Sequence, residues 1–122
     1  MLERISAGSM EGYELFLEIE PDEFAYPEDD EGLTAKQLEA YAKEEWGYVV
    51  ATVKAEKYGI EFGQASYGML EYGVLPVTDE QNNLIGSWVI EAKDIDNYVG
   101  TELAGEAISR AEEILKKIRE EN

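Results

Sequence analysis

Between Tyr13 and Glu20 the chain alternates without a break: Leu15, Leu17 and Ile19 fall on one side, Glu14, Phe16, Glu18 and Glu20 on the other. That period of two belongs to an extended strand with one buried face, and Pro21, which cannot donate to a strand ladder, stops it. A chain with such a segment must build a sheet and cover one side of it. Tyr48 to Glu56 repeats the signal, with Val49, Ala51, Val53 and Ala55 on one face. Gly59 marks a turn, and Ile60 to Tyr67 returns as the second arm of a hairpin. Ser87 to Glu91 supplies a further short strand, and glycines 63, 68 and 73 suit bulges or close backbone approach.

Two segments carry helical periodicity instead. Thr34 is a natural N-cap with Gln37 at the third helical position, a capping box, and Leu33 and Leu38 flank it as a hydrophobic staple. Leu38, Tyr41, Ala42 and Trp46 then form one apolar stripe, and Gly47 suits a C-cap. Asp94 opens a short helical turn, and Thr101 caps a long terminal helix with Leu103, Ala107, Ile108, Ala111, Ile114, Leu115 and Ile118 on its apolar face. Residues 1–12, with Gly8 and Gly12 and little apolar pattern, read as a flexible lead-in. Residues 21–32 read as an acidic loop and 73–85 as another loop. The expected fold is one α+β domain over 1–122: an antiparallel β-sheet of three or four strands with two helices packed on one face, in the order β-α-β-β-β-α.

The charge is large and uneven. The 122 residues hold 28 acids and 10 bases, a net −18. Eleven of the acids stand in residues 1–32 against Arg4 alone, so that stretch carries −10, whereas 33–93 and 94–122 carry −4 each. Such a field repels nucleic acid and anionic membrane and attracts basic protein surfaces or cations. General adaptation to high salt would spread the acids and avoid lysine, yet seven of the ten bases are lysine. The N-terminus lacks a basic-then-apolar leader and no apolar run nears the roughly 20 residues a bilayer needs, so a soluble, cytoplasmic protein is expected.

Residue types that are missing remove most catalysis. Without histidine or cysteine there is no Ser-His-Asp or Cys-His nucleophile system, no common zinc site and no disulfide. The glycines lack the following lysine of a phosphate-binding loop. Glu44-Glu45, Glu112-Glu113 and Glu120-Glu121 read as solvated helix surface rather than as acid–base pairs. Glu28 to Glu31 offers hard oxygens that suit calcium or magnesium but lacks the spacing of an EF-hand. The expectation is no enzyme, no catalytic residue, no cofactor and no assigned metal ligand.

The strand and its acidic loop are the sharper feature. Carboxylates two residues apart on one strand face stand about 6–7 Å apart, and duplex DNA places one phosphate per about 3.4 Å along each strand. A groove built for a polyanion would accept a row of Glu14, Glu18, Glu20, Asp22, Glu23, Glu28, Asp29, Asp30 and Glu31, which are the expected partner-binding residues. The plainer reading is an edge kept charged for solubility and against edge pairing. Tyr41, Trp46 and Trp88 read as core; Tyr48, Val50 and Thr52 share the opposite hairpin face, and if helices cover one face alone, exposed aromatics there would suit a homodimer.

The runs Leu-Thr-Ala-Lys-Gln-Leu-Glu-Ala-Tyr-Ala-Lys-Glu-Glu-Trp-Gly-Tyr-Val-Val (33–50) and Gly-Ile-Glu-Phe-Gly-Gln-Ala-Ser-Tyr-Gly (59–68) resemble small acidic proteins of bacteriophages and mobile elements. The shared pattern is a helix ending in Glu-Trp-x-Tyr-Val, a hairpin, an Ala-Ser-x-x-Gly segment and a C-terminal acidic helix; where those proteins often show Leu-Trp-Gly after Ala-Ser, this chain has Tyr67-Gly68. The resemblance carries over no functional residue. It implies a phage or mobile-element source, a setting whose small acidic proteins include nucleic-acid mimics and anti-CRISPR inhibitors. The expected function is therefore a non-enzymatic acidic protein that inhibits a basic, nucleic-acid-binding host defence protein, such as a restriction or CRISPR component. The alternatives are a scaffold or homodimeric domain, or a divalent-cation binder.

Overall fold

The structure, a computed structural model, describes residues 2–121, and of Asp29 the backbone alone. Five antiparallel strands run in sequence order as a meander and curl into a half-barrel: β1 (Glu3–Met10), β2 (Tyr13–Pro21), β3 (Trp46–Lys57), β4 (Ile60–Thr78) and β5 (Leu84–Ile90). Helix α1 (Ala35–Ala42) lies between β2 and β3; α2 (Ala92–Ile95) leads through a π turn at Asp96–Gly100 into α3 (Thr101–Glu120).

This overturns the expected sheet of three or four strands in the order β-α-β-β-β-α. The supposed lead-in is β1, paired with β2 from Glu3↔Ile19 to Met10↔Tyr13. Its hairpin turn is Glu11-Gly12, both at positive φ (54° and 85°), which matches the right-handed twist of the flanking strands. Tyr58-Gly59 (55° and 75°) closes the β3–β4 hairpin in the same way. The expected loop at 73–85 is mostly strand: β4 continues to Thr78, and the connection shrinks to Asp79–Asn83, where Asp79 Oδ1 accepts from the Gln81 and Asn83 amides, both at 2.9 Å.

The helices do not share a face. Leu103, Ala104, Ala107, Ile108 and Ala111 of α3 bury against Leu15, Leu17, Ile19, Val49, Ala51, Val53 and Ala55 of β2 and β3. Trp46 and Tyr48, out of phase with Val49 and Ala51, join Ala40 of α1, Ala25 and Leu75 in a second, smaller core. One core would have needed every apolar residue of β3 in phase, and Trp46 and Tyr48 are not. The contact between α3 and the sheet is close enough to require glycine: a Cβ on Gly63 would overlap the backbone of Ala107 and Ala111. Further along β4 a bulge at Gly68-Met69, with Met69 at φ 54°, reverses the strand's phase, so Ala65 and Leu70 both face α3.

Helix α1 starts as its sequence demands, with Thr34 Oγ1 accepting from the Gln37 amide and Gln37 Oε1 accepting from the Thr34 amide. It ends earlier than Gly47. The Glu45 amide donates to Ala40 and the Glu44 amide to Tyr41, a Schellman closure with Glu44, not glycine, in the left-handed position at φ 62°. Trp46 thus belongs to β3, and Leu38 is left largely exposed. Thr101 is no cap either, because its φ and ψ (−64°, −44°) continue the helix from the π turn.

Candidate functional site

The outer sheet face, opposite α3, carries the expected row of acids, but the row is broken in the middle. Arg4 stands directly across from Glu18 in the β1–β2 pairing, and Lys54 projects from β3. Arg4 Nη1 lies 2.6 Å and Lys54 Nζ 3.1 Å from the Glu18 carboxylate; Arg4 also reaches Glu56 at 2.9 Å, and Lys54 reaches Glu61 at 3.4 Å. Glu18 is 3% exposed, the buried charge of this face. Its hydrogen bond is the main cause holding the Lys54 ammonium above its ordinary range. Glu18 therefore braces three strands and is not offered to a partner.

Two further members of the set are also turned inward. Asp22 Oδ1 accepts from the Phe24 amide at 3.0 Å and Oδ2 from the Met69 amide at 2.8 Å, tying the loop to the β4 bulge. Asp30 accepts from the Gly32 amide at 3.1 Å and from the Tyr48 hydroxyl at 3.3 Å. Glu14, Glu20, Glu23, Glu28 and Glu31 are exposed. The side chain of Asp29 lies outside the described residues. The loop also exposes Phe24 (89%) and Tyr26, aromatics that the sequence reading did not single out.

What the fold builds near these acids is an aromatic groove at the end of the sheet. Tyr41 of α1, Trp46 and Tyr48 sit in mutual contact, ring centroids 5.2–6.0 Å apart. The Trp46 indole donates to Gln37 O at 2.9 Å, which fixes it between helix and strand. These rings, with Tyr72, Asp22, Glu44 and Glu45, line a groove of about 710 Å³, and among the described residues no lysine or arginine lines it. Glu71, the cross-strand partner of Tyr48, stands close behind. Burial first, then the charge of Asp30, holds its carboxyl above the ordinary 4.5. Burial also pushes the Tyr48 hydroxyl up, with Asp30 adding to the shift.

Trp46 is core as the sequence reading has it and Tyr41 packs against it, whereas Trp88, also read as core, is 62% exposed on β5; the same reading has Glu44-Glu45 only as solvated helix surface. The αL turn at Glu44 brings Tyr41, Trp46 and this pair together, and it has no glycine to announce it. Likewise Glu112, read as solvated, accepts from the buried Tyr13 hydroxyl at 2.7 Å. Among the described residues no group of three or more acids converges as a metal site, and no helix is long and apolar enough to cross a membrane. No protein-family model, no curated protein and no solved structure matches the chain.

Chemically, such a groove suits an organic cation. A guanidinium or ammonium over an aromatic face gains about 0.5–2 kcal/mol, more when desolvated. Carboxylates at the rim add charge-assisted hydrogen bonds.

Proposed function

We propose that this chain is a non-enzymatic binding protein that engages the basic, nucleic-acid-binding surface of another protein. A phage or mobile-element inhibitor of a restriction or CRISPR component fits this reading. A basic side chain of the partner enters the groove beside Tyr41 and the Glu44-Glu45 rim, while Glu20, Glu23, Glu28 and Glu31 meet neighbouring cations.

The observation that carries the reading is the groove itself, lined by the half-buried Tyr41 and Tyr72 over a base of buried Trp46 and Tyr48, with Asp22, Glu44 and Glu45 beside them, in a chain of charge −18. A strained residue adds support: Glu44 holds a left-handed backbone that glycine would hold more cheaply, and it lines the groove. The acids do not form an even phosphate-like row, since Glu18 drops out of it. Recognition then rests on discrete cation sites more than on a copied polyanion.

Competition tests this. Immobilised protein should retain basic nucleic-acid-binding proteins from a bacterial lysate at low salt and release them to added duplex DNA. Retention that DNA does not compete would count against the shared surface.

A further inference from the structure

Strand β5 is an edge of the sheet, with β4 its one hydrogen-bonded neighbour among the described residues. The opposite edge, β1, is guarded in the usual way: it carries Glu3 and Arg4, and its register shifts between Ser6 and Ser9. β5 has a register shift too, at Leu84–Gly86, but lacks the charges. Leu-Ile-Gly-Ser-Trp-Val-Ile contains no charge and no proline, in a chain that is 31% charged. Its side chains are open on both faces: Leu84, Ile85, Trp88 and Val89 are 58–65% exposed, and Val74 of β4 beside Val89 is exposed too.

We infer that β5 is a self-association edge, which a second copy of this chain covers by antiparallel β5–β5 pairing across a twofold axis at Ser87. This goes beyond the proposed groove and does not depend on it. A strongly basic partner would find no carboxylate on this strand, so the occupant must be neutral and apolar, and the strand's own copy is both. The pairing is self-complementary. With Ser87 on the axis, Trp88 lies over Gly86 of the second copy, an aromatic–glycine pair of the kind that stabilises sheets, and Val89 runs past the irregular Leu84–Ile85 end of the second strand. The two sheets join into one. The exposed Leu84, Ile85, Trp88 and Val89, with Val74 beside them, form the apolar surface that such pairing covers.

Charge sets a distinctive signature. Two chains of −18 repel, so screening strengthens this dimer, whereas it weakens docking on a basic partner. Sedimentation equilibrium of the intact chain at about 100 μM should give twice the 13.7 kDa monomer mass at about 0.5 M NaCl and shift toward monomer at about 0.02 M. Ile85→Lys with Val89→Lys should be monomeric at both, with unchanged circular dichroism and melting temperature because both positions are exposed. Since the chain has no cysteine, Ser87→Cys gives a test that leaves the apolar edge intact. Oxidised glutathione should link two copies through Cys at the axis many-fold faster than through an exposed control, Glu102→Cys. A monomer at high salt, a dimer that persists in the double-lysine variant, or equal linking at positions 87 and 102 would each overturn the inference.

Discussion

Arg4 and Glu18 face each other across the β1–β2 pairing with Nη1 2.6 Å from Oε2, and this contact pairs the buried carboxylate on the open side of the sheet. Its consequence is a division among the acids: Glu18 belongs to the fold, and neighbours such as Glu20 belong to the surface. Glu18→Gln should lower the urea-unfolding free energy by about 1–2 kcal/mol, since Arg4 and Lys54 lose a shared anion but keep access to water. Glu20→Gln should stay within about 0.5 kcal/mol of the parent. Equal effects would mean that the network is ornamental.

Gly63 tests how closely α3 sits on β4. Because a methyl group there meets backbone, not a side chain that can swing away, Gly63→Ala should cost about 3 kcal/mol or more. Gly105, on the exposed side of α3 with nothing near its missing Cβ, is the control. Gly105→Ala should gain about 0.5–1 kcal/mol from helix propensity. Chemical denaturation of the two variants side by side decides the matter.

At Glu44 stability and binding should move in opposite directions. Glu44→Gly relieves a left-handed residue and should raise stability by about 1 kcal/mol. The same change removes a carboxylate from the groove and should weaken capture of a basic partner. A variant that is more stable and binds equally well would detach Glu44 from function.

The pH dependence follows from Glu71 and Asp96. Burial, with Asp30 second, holds the Glu71 carboxyl above its ordinary 4.5, and burial alone holds Asp96 above 3.8. In both, the folded chain binds the proton more tightly than the unfolded one. Their contribution to stability is thus fullest below the ordinary values and declines as pH rises through the raised ones. Self-repulsion of the −18 chain acts in the same sense. The melting temperature should therefore fall as pH rises above the ordinary 4.5 of a glutamate, less steeply in Glu71→Gln, which should also be the more stable protein at neutral pH. Below about pH 4 the trend reverses, because the Asn83 amide, the largest influence, holds Asp79 below its ordinary value and that bond is lost on protonation.

The parts of this fold that were legible are those written in short-range chemistry. The alternation from Leu15 to Ile19, the Thr34–Gln37 capping box and the turn at Gly59 all appear where the residues place them. Strand β1 was missed because Ile5 and Ala7 are weak apolar markers; the Glu11-Gly12 pair, a hairpin turn before a clear strand, was the signal available. The two-sided core was not legible, since it hangs on Trp46 leaving the helix at a glutamate in a glycine-like conformation. The division among the acids was hidden for a similar reason. Nothing local to Glu18 reveals that Arg4 and Lys54 will converge on it from two other strands, whereas Glu23 and Glu28 are exposed as their loop composition suggests.

The central claim, that the aromatic groove receives cationic side chains of a partner, is tested most directly by titration calorimetry with a short arginine-rich peptide. Binding at low salt is expected, weakening as the ionic strength is raised to the physiological value, and lost in a Glu44→Gln, Glu45→Gln variant, whose two positions are exposed and which keeps the parent's melting temperature within a few degrees. Binding that ignores both salt and the groove substitutions, or no binding at all at low salt, would contradict it.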